Sequence, residues 1–323
     1  MKKIGVLTSG GDAPGMNAAI RAAARTAIYE GLEVVGIYEG FRGLIEGSFV
    51  NLNARSVSGI LQRGGTILQS ARCQRFRTKE GRQQAFNHVE KAGIDGLIII
   101  GGDGSFAGAN QFELEYNIPF IGVPGTIDND LFGTDFTIGF DTALNTIVDA
   151  VDKIKDTAAS HNRLFFIEVM GRDTGYLALS ACIASGAEDA LIPEEITDIE
   201  ELVHNLIEAK RNKKNSSIVI VAEGDDAGGA MRIAKKVNKL YSEFDTRVAV
   251  LGHIQRGGKP SASDRILASR LGNSAVESLL KGKSGLMVGV KNGEIKETSI
   301  SDSINKQKNL KDHLLQLIDP LSI

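Results

Sequence analysis

A hydroxyl group and two carboxylates lie close together in one short turn of the chain. The turn, Gly122–Asp130, follows the strand-like run Pro119–Val123 and contains Thr126, Asp128 and Asp130. In an α/β protein, the loop at the carboxyl end of a strand lies in the crevice that binds ligands. Alternate residues of an extended segment face the same way, and close carboxylates need a metal, a basic group or a proton as compensation. The turn is therefore a candidate for chemistry; the alternative is a polar turn in which Asp130 caps a helix.

Two glycine-rich turns follow other strand-like runs. Gly10 and Gly11 come after Lys3–Thr8, and Gly101–Ser105 comes after Gly96–Ile100. Bare N–H groups at a helix start, together with the helix dipole, favour a phosphate there. Neither turn has the Walker spacing, and such turns are common in α/β proteins. The two together, with an acid inside the second, indicate a nucleotide site.

Asp103 is that acid, and it is a natural ligand for Mg²⁺. Magnesium keeps most of its water and binds one or two carboxylates together with phosphate oxygens. The alternative role for Asp103 is that of a helix N-cap.

Phosphoryl transfer depends on positioning and on neutralising charge more than on covalent chemistry. Arginine suits this role because its planar fork binds phosphate bidentately. By itself each arginine is more often part of a surface ion pair. The candidate arginines at or near strand ends are Arg163, Arg172, Arg247 and Arg256, and Arg72 is one further candidate.

Two further polar residues have open interpretations. Glu223 follows an apolar strand and precedes Gly224, so it could bind sugar hydroxyls or cap a helix. His253 could contact a substrate or hydrogen-bond a buried backbone group.

The elements that must position these residues alternate between strands and helices. Four strand-like runs separated by helical patterns predict a mostly parallel sheet covered on both faces. A helix from Thr142, with apolar residues at Ile147 and Val151, leads into the strand Leu164–Met170, where the alternation starts again. The 323 residues suggest two domains of about 150 residues each.

Composition excludes several classes of function. The 37 basic and 40 acidic residues give a formal charge of −3, so no overall field favours nucleic acid or membrane. Cys73 and Cys182 form no disulfide framework, and from the strand pattern at the N-terminus and the short apolar runs we expect neither a signal peptide nor a membrane span. We expect a soluble cytoplasmic protein.

Five stretches together closely resemble the bacterial ATP-dependent 6-phosphofructokinases, over nearly the whole chain. The stretches are Leu7–Ala18, Ile100–Ser105, Pro124–Asp130, Val169–Arg172 and Leu251–Gly258. The resemblance implies an allosteric glycolytic kinase that uses Mg²⁺ to transfer the γ-phosphoryl group of ATP to the 1-hydroxyl of fructose 6-phosphate.

The same resemblance implies a homotetramer whose subunits contain two similar Rossmann-like three-layer α/β domains. Residues 1–138 with 252–303 would bind ATP, and residues 139–251 with 304–323 would bind fructose 6-phosphate.

Carried over residue by residue, the resemblance makes Asp128 the base, places Thr126 beside the transferred phosphoryl group and has Arg172 stabilise the transition state. Asp103 would bind Mg²⁺, supported by Asp130. The ATP positions are Gly11, Arg72, Cys73, Gly102, Asp103, Gly104 and Ser105. The sugar-phosphate positions are Thr126, Asp128, Arg163, Met170, Gly171, Arg172, Glu223, Arg247, His253 and Arg256. Arg163 and Arg247 would reach the sugar phosphate of a neighbouring subunit.

The resemblance also indicates the phosphoryl donor. Pyrophosphate-dependent relatives carry Asp and Lys where this chain has Gly104 and Gly125. The missing side chains leave room for the α-phosphate, so we expect ATP as donor.

A second phosphate site, for ADP or phosphoenolpyruvate as effector, is implied between subunits; a solvated helix face is the alternative. Its residues are Arg21, Arg25, Lys155, Gly186, Glu188, Arg211, Lys213 and Lys214. Lys155 replaces an arginine, Ala54 and Gly59 replace an Arg and an Asp of some relatives, and Tyr176 stands where many relatives have Asp.

The sequence argues against two rival functions. Lipid or dinucleotide kinases share the Gly-Gly-Asp-Gly loop but do not need the Pro124–Asp130 and Gly252–Gly258 stretches. A non-catalytic nucleotide-binding regulator would not need to retain Asp103, Asp128 and Arg172.

Overall fold

The computed structural model describes residues 1–161, 163–211, 217–310 and 312–321 and divides into two compact units. The first unit comprises Met1–Ile127, Leu131–Thr142 and Arg256–Lys308. The second unit comprises Asp128–Asp130, Ala143–Gln255 and Asn309–Ile323.

The first unit contains one seven-stranded sheet in the order β11-β10-β5-β4-β1-β2-β3. Its strands are β1 (Lys3–Thr8), β2 (Glu33–Ile37), β3 (Phe49–Leu52), β4 (Gly96–Gly101), β5 (Phe120–Pro124), β10 (Leu286–Lys291) and β11 (Glu294–Ser299). The pairs from β10 to β2 are parallel, and β3 and β11 add antiparallel pairs at the two edges. The inner strands are apolar runs because helices cover both of their faces.

Helices pack on both faces of this sheet. They are α1 (Met16–Tyr29), α2 (Phe41–Glu46), α3 (Lys79–Ala92), α4 (Asp103–Tyr116), α9 (Ala262–Leu280) and α10 (Ile300–Asn305). Helix α1 packs against α9. A separate buried cluster, which includes Phe41, Val89, Ile99 and Phe106, joins the sheet to α2, α3 and α4.

The second unit repeats the plan on a smaller scale, with a four-stranded parallel sheet in the order β7-β8-β6-β9. Its strands are β6 (Leu164–Val169), β7 (Asp189–Leu191), β8 (Ser217–Ala222) and β9 (Thr246–Val250). Its helices are α5 (Phe140–His161), whose first residues belong to the first unit, α6 (Tyr176–Ser185), α7 (Ile199–Arg211), α8 (Gly229–Leu240), α11 (Asp312–Leu315) and α12 (Ile318–Leu321). Helices α7 and α8 share one buried cluster with the sheet, and α11 and α12 pack against α6.

One buried carboxylate organises the start of two helices in the first unit. Asp264 is 1% exposed and accepts hydrogen bonds from the backbone N–H groups of Gly139 and Thr142, both at 2.8 Å. It also accepts from the Thr142 hydroxyl, while its own N–H donates to the Ser261 cap of α9. Burial raises the pKa of this carboxyl above its usual range.

The predicted α/β class with mostly parallel sheets is confirmed. Strands β3 and β11 were not predicted, because both lie at a sheet edge and are partly exposed, so neither forms a continuous apolar run. The stretch Gly252–Arg256, which lies within the motif Leu251–Gly258, forms a short 3₁₀ helix.

Candidate active site

In the first unit, the loops after β1, β4 and β5 are joined by backbone hydrogen bonds. Ser9 N donates to Ile100 O at 3.0 Å, and Gly125 N donates to Gly101 O at 2.9 Å. A Cβ on Gly101 would lie 2.6 Å from Ser9 O, so only glycine permits this close approach. The sheet order reverses between β1 and β4, which is where ligands bind in open α/β sheets.

The segment that carries Arg72 and Cys73 is fastened to the same loops. Asn17, 1% exposed, donates to Arg63 O and Gly64 O and accepts from Ile67 N at 2.7 Å. The Ser70 hydroxyl donates to Gly10 O at 2.6 Å. Arg72 is exposed and Cys73 half-buried at the end of this segment. Asn17 was not among the predicted site residues, and its amide directly after the first glycine-rich turn was the signal available in the sequence.

Asp103 is the first residue of α4, and Gly102 occupies the N-cap position. The N-cap alternative for Asp103 is therefore wrong. Its carboxylate lies in the first turn, where the helix dipole stabilises negative charge. A single partly exposed carboxylate at a helix start would suit Mg²⁺, an ion that takes one or two carboxylates together with phosphate oxygens and water. Ser105, in the same turn, is buried.

The two glycines of the donor argument differ in their surroundings. Apart from its chain neighbours and the backbone of its own helix, no heavy atom of the described residues lies within 4 Å of the position of a Cβ on Gly104, so a side chain there would enter open space. A Cβ on Gly125 would lie 3.0 Å from Cγ2 of Ile100 and 3.2 Å from Cε of Met16. Glycine at 125 thus has a packing reason of its own, so Gly104 is the position that indicates the phosphoryl donor.

Arg256 belongs to the first unit. Its Nη1 donates to Asp12 O at 3.1 Å, and a Cβ on Gly11 would lie 2.6 Å from the same nitrogen. The guanidinium that was predicted for the sugar phosphate therefore lies against the first glycine-rich turn.

The stretch Pro124–Asp130 leaves β5 in the first unit, and its last three residues belong to the second unit. Thr126 is buried, and its carbonyl accepts a 2.6 Å hydrogen bond from the Thr137 hydroxyl. Asn129 has φ 56°, so the segment is not extended throughout and simple alternation fails before Asp130. The next helix begins only at Phe140, which makes the helix-cap interpretation of Asp130 wrong.

In the second unit, Asp128 and Asp130 lie beside the turn that follows β6. Asp130 Oδ2 is 3.8 Å from Nη1 of Arg172, and the Thr174 hydroxyl lies 3.3 Å from Asp128 O. Asp128 is 3% exposed, whereas half of the Arg172 side chain is accessible. The structure thus places the Arg172 guanidinium near Asp130, and the backbone of the predicted base, Asp128, against the same turn.

The backbone of Arg172 is held in an unusual conformation. Its φ is 53°, and its N–H donates to Glu223 Oε1 at 2.9 Å. A Cβ on Gly224 would lie 2.1 Å from Arg172 O, so the turn after β6 lies directly on the turn after β8. The helix after β8 begins only at Gly229, with Gly228 in the N-cap position, so the interpretation of Glu223 as a helix cap is wrong.

The turn after β9 lies beside the same strands. Met170 N donates to the side chain of Gln255, and Gly171 is buried. His253 is exposed, so its interpretation as a residue serving a buried backbone group is not supported.

Arg163 and Arg247 lie elsewhere in the second unit. Arg163 precedes β6 and Arg247 is the second residue of β9, so both lie at the amino ends of parallel strands. Strand β6 has six residues, so this edge is roughly 20 Å from the carboxyl ends that carry Met170 and Arg172. Both arginines bind Asp245, Arg163 through Nε at 2.8 Å and Arg247 through Nη1 at 2.5 Å. Their guanidinium groups lower the pKa of that carboxyl.

The predicted effector residues are distributed over both units. Arg21 and Arg25 lie on α1, and Arg211 ends α7; Lys213 and Lys214 fall outside the described residues. Lys155 Nζ donates to Ser185 O and, at 2.9 Å, to Gly186 O, at the carboxyl end of α6. Glu188, half-buried, follows shortly after. Lysine at 155 therefore neutralises a helix terminus in this structure.

Tyr176, the departure next to the Arg172 turn, is the first residue of α6 and is buried. Its hydroxyl donates to Asn309 O at 2.6 Å, and burial raises its pKa. This side chain therefore anchors the C-terminal segment of the second unit.

Among the described residues, no helix is long and apolar enough to cross a membrane. Within the same ranges, no group of three or more His, Cys, Asp or Glu side chains is arranged to hold a metal ion. A magnesium ion bound through Asp103 would therefore depend on the nucleotide for further ligands.

Comparison with known proteins gives consistent results. The family model of phosphofructokinase matches residues 3–279. The chain is 55% identical to ATP-dependent 6-phosphofructokinase 2 of Bacteroides thetaiotaomicron, over 100% of this chain and 99% of that protein. It is 53% identical to ATP-dependent 6-phosphofructokinase 1 of Thermus thermophilus over the full length of both. The structure of phosphofructokinase from Saccharomyces cerevisiae matches with a TM-score of 0.90 and 36% identity. That match covers all of this chain and 47% of the yeast chain, so this chain spans about half its length.

Proposed function

Since the chain belongs to the phosphofructokinase family, we propose that it is an ATP-dependent 6-phosphofructokinase of glycolysis. The reaction transfers the γ-phosphoryl group of ATP to the 1-hydroxyl of fructose 6-phosphate and yields fructose 1,6-bisphosphate and ADP. The first unit binds ATP, and the second unit binds the sugar phosphate.

The observation that carries this proposal is that four residues, Asp128, Asp130, Arg172 and Glu223, meet at one turn of the second unit through backbone and side-chain contacts. Asp128 and Asp130 lie beside the Arg172 turn, and Glu223 accepts the Arg172 backbone N–H. A carboxylate, an accessible guanidinium and a second carboxylate then lie at the carboxyl ends of β6 and β8. This set provides a base for a hydroxyl, a cation for a phosphoryl group and an acceptor for sugar hydroxyls.

In the proposed step, the sugar O1 forms a bond to the γ-phosphorus while the bond from that phosphorus to the β,γ-bridging oxygen breaks. The hydroxyl proton goes to the Asp128 carboxylate, and ADP leaves with the bridging oxygen. A carboxylate is a weak base for an alcohol, so it serves where the proton leaves late and attack geometry contributes most of the acceleration. Arg172 stabilises the charge that accumulates on the equatorial oxygens.

The first unit holds the nucleotide through its three joined loops. Backbone N–H groups at the start of α4 bind phosphate, and Thr126 lies beside the group in transit. Asp103 holds Mg²⁺, which when bound neutralises phosphate charge. Arg72 and Cys73 contribute to the nucleotide site from the segment that Asn17 and Ser70 fasten.

Two further parts of the proposal concern assembly. Arg163 and Arg247 lie at the amino edge of their sheet, too far along β6 to serve the Met170–Arg172 turn of the same chain. They bind the sugar phosphate of a neighbouring subunit in a homotetramer. An effector site for ADP or phosphoenolpyruvate is proposed at Arg21 and Arg25 of α1 and at Lys155, which binds the carboxyl end of α6.

A coupled assay for fructose 1,6-bisphosphate tests the activity directly. Rates are measured with fructose 6-phosphate, Mg²⁺ and either ATP or pyrophosphate, with and without phosphoenolpyruvate or ADP. We expect turnover with ATP and little with pyrophosphate. Preference for pyrophosphate would reject the donor assignment. Nucleotide binding without turnover would favour a regulator, and turnover only with a lipid or dinucleotide acceptor would favour the rival kinases.

A further inference from the structure

Gln255 is the most completely buried polar side chain near the loops of the second unit, with 0% exposure. Its neighbours in the chain are exposed or half-buried. A buried amide is costly unless both its carbonyl and its NH₂ group are hydrogen-bonded. A side chain buried to this extent therefore needs hydrogen-bond partners for both ends of its amide.

Both ends of this amide have a backbone partner. Oε1 accepts from Met170 N at 3.1 Å, and Nε2 donates to Gly252 O at 2.9 Å. The first bond reaches the residue that follows β6, and the second closes the 3₁₀ turn Gly252–Arg256. One side chain thus links the turn after β6 to the turn after β9.

The link stands where the strand pairing ends. Leu251 N donates to Glu168 O at 3.0 Å, which is the last backbone bond between the two strands. At Gly252, with φ 51°, the chain turns away. In a parallel ladder the next donor of β6 is Met170 N, and its acceptor is the Gln255 side chain instead of a backbone carbonyl.

We propose that Gln255 is a positioning residue for fructose 6-phosphate, which fixes the Met170–Arg172 turn and the Gly252–Arg256 turn relative to each other. This inference rests on the proposed function. The two turns carry Met170, Arg172 and His253, which are proposed to contact the sugar phosphate. Gln255 acts through their backbone and does not touch the substrate. Displacement of a binding group by about 1 Å is enough to cost roughly a hundredfold in rate.

The test compares Gln255→Met with Gln255→Glu. Methionine keeps the length of the side chain and loses both hydrogen bonds, whereas glutamate keeps an acceptor for Met170 N and loses the donor to Gly252 O. We expect KM for fructose 6-phosphate to rise at least about tenfold in Gln255→Met and less in Gln255→Glu. KM for ATP should rise clearly less than KM for fructose 6-phosphate, because neither hydrogen bond of Gln255 reaches the joined loops of the first unit.

Gln62 offers a matched control. Its Nε2 also donates to a carbonyl three residues earlier, Gly59 O at 3.0 Å, but the side chain is exposed. Gln62→Met and Gln62→Glu should leave both KM values unchanged. Thermal melting of every variant shows whether it is folded, and calorimetric titration with fructose 6-phosphate measures affinity even where turnover is low.

The outcomes separate the two proposals. A parent chain without activity toward fructose 6-phosphate would overturn the proposed function, and the positioning role would fall with it. An active parent with unchanged affinity for fructose 6-phosphate in Gln255→Met would overturn the positioning role alone. Equal rises of both KM values would also overturn it, since they would indicate a general loss of structure.

Discussion

The backbone N–H of Arg172 donates a 2.9 Å hydrogen bond to Oε1 of Glu223, which fixes an arginine whose φ is 53°. Such a conformation is uncommon outside glycine and costs roughly 1–3 kcal/mol, so it needs support from its surroundings. Glu223 therefore has a second role besides the proposed contact with the sugar.

Glu223→Ala should lower kcat as well as raise KM for fructose 6-phosphate, because it releases the Arg172 turn. Glu223→Gln keeps an oxygen acceptor and should retain most of kcat. We expect kcat of the alanine variant to be about tenfold or more below that of the glutamine variant. Steady-state kinetics of the two variants checks this; equal kcat values would show that the hydrogen bond does not support the turn.

Asp128→Asn removes the proposed base with little change in shape. We expect kcat to fall by roughly a hundredfold or more, with KM for fructose 6-phosphate and ATP nearly unchanged. Asp173→Asn, in the same turn as Arg172 but exposed, is the comparison variant. Near-normal turnover in Asp128→Asn would show that another group takes the proton.

Gly104→Asp places a carboxylate in the open space next to Asp103. The added negative charge lies where the phosphates of ATP are proposed to bind, so KM for ATP should rise at least about tenfold, or about 1.4 kcal/mol of binding energy. Gly104→Ala adds only a methyl group that meets no other part of the described chain within 4 Å beyond its own helix backbone and chain neighbours, and should behave like the parent. Equal KM values for ATP in all three proteins would remove position 104 from the nucleotide site.

Asp264 predicts a distinct pH dependence of stability. Burial raises the pKa of this carboxyl, so the folded protein binds its proton more tightly than the unfolded chain. The stability that Asp264 contributes is present below the unfolded-state pKa and declines as pH rises towards the folded-state pKa. The free energy of unfolding of the parent should therefore fall, relative to Asp264→Asn, as pH rises from about 4.

Asp302 supplies the opposite case for the same urea-unfolding experiment. A hydrogen bond from Lys306 lowers the pKa of Asp302, so its contribution is present above the unfolded-state pKa and is lost as pH falls. Relative to Asp302→Asn, the parent should lose stability towards acid. Parallel pH profiles of the parent and Asp264→Asn would contradict the assignment for Asp264.

The proposed sharing of arginines between chains predicts complementation. Asp128→Asn retains Arg247, and Arg247→Ala retains Asp128. In a mixed oligomer, some sites therefore combine Asp128 from one variant with Arg247 from the neighbouring one and are complete. Refolding the two inactive variants together should give activity that neither has alone. The control is a mixture of Asp128→Asn with Arg211→Ala, which alters another exposed arginine of the second unit. The activity of this mixture should equal that of the Arg211→Ala protein it contains, with no gain from mixing. No recovery in mixed oligomers of confirmed size would place Arg247 outside the substrate site.

The sequence was sufficient to predict the inner architecture, because strands such as β1, β4 and β8 are apolar runs buried on both faces. The family was also predicted correctly, since its motifs lie at the carboxyl ends of those strands. Edge strands β3 and β11 escaped prediction because partial exposure removes the apolar signal.

The positions of site residues were predicted less completely. Alternation suggested that Asp130 faces the same way as Asp128, but the left-handed conformation of Asn129 cannot be read from an alternating pattern. The contact of Arg256 with Asp12 joins residues far apart in the chain, as does the bond between Gln255 and Met170. Such pairings depend on how the turns pack against each other. Residue types and their spacing along the chain do not specify that packing. The catalytic and binding roles themselves stay predictions.

Asp245 has a consequence for the entropy of binding. It holds Arg163 through Nε and Arg247 through Nη1, and each guanidinium carries further N–H donors beyond that one. A long arginine side chain loses up to about 2 kcal/mol of rotamer entropy when it is immobilised. Here Asp245 imposes much of that loss during folding, so a phosphate that reaches this edge encounters two arginines that are already preorganised.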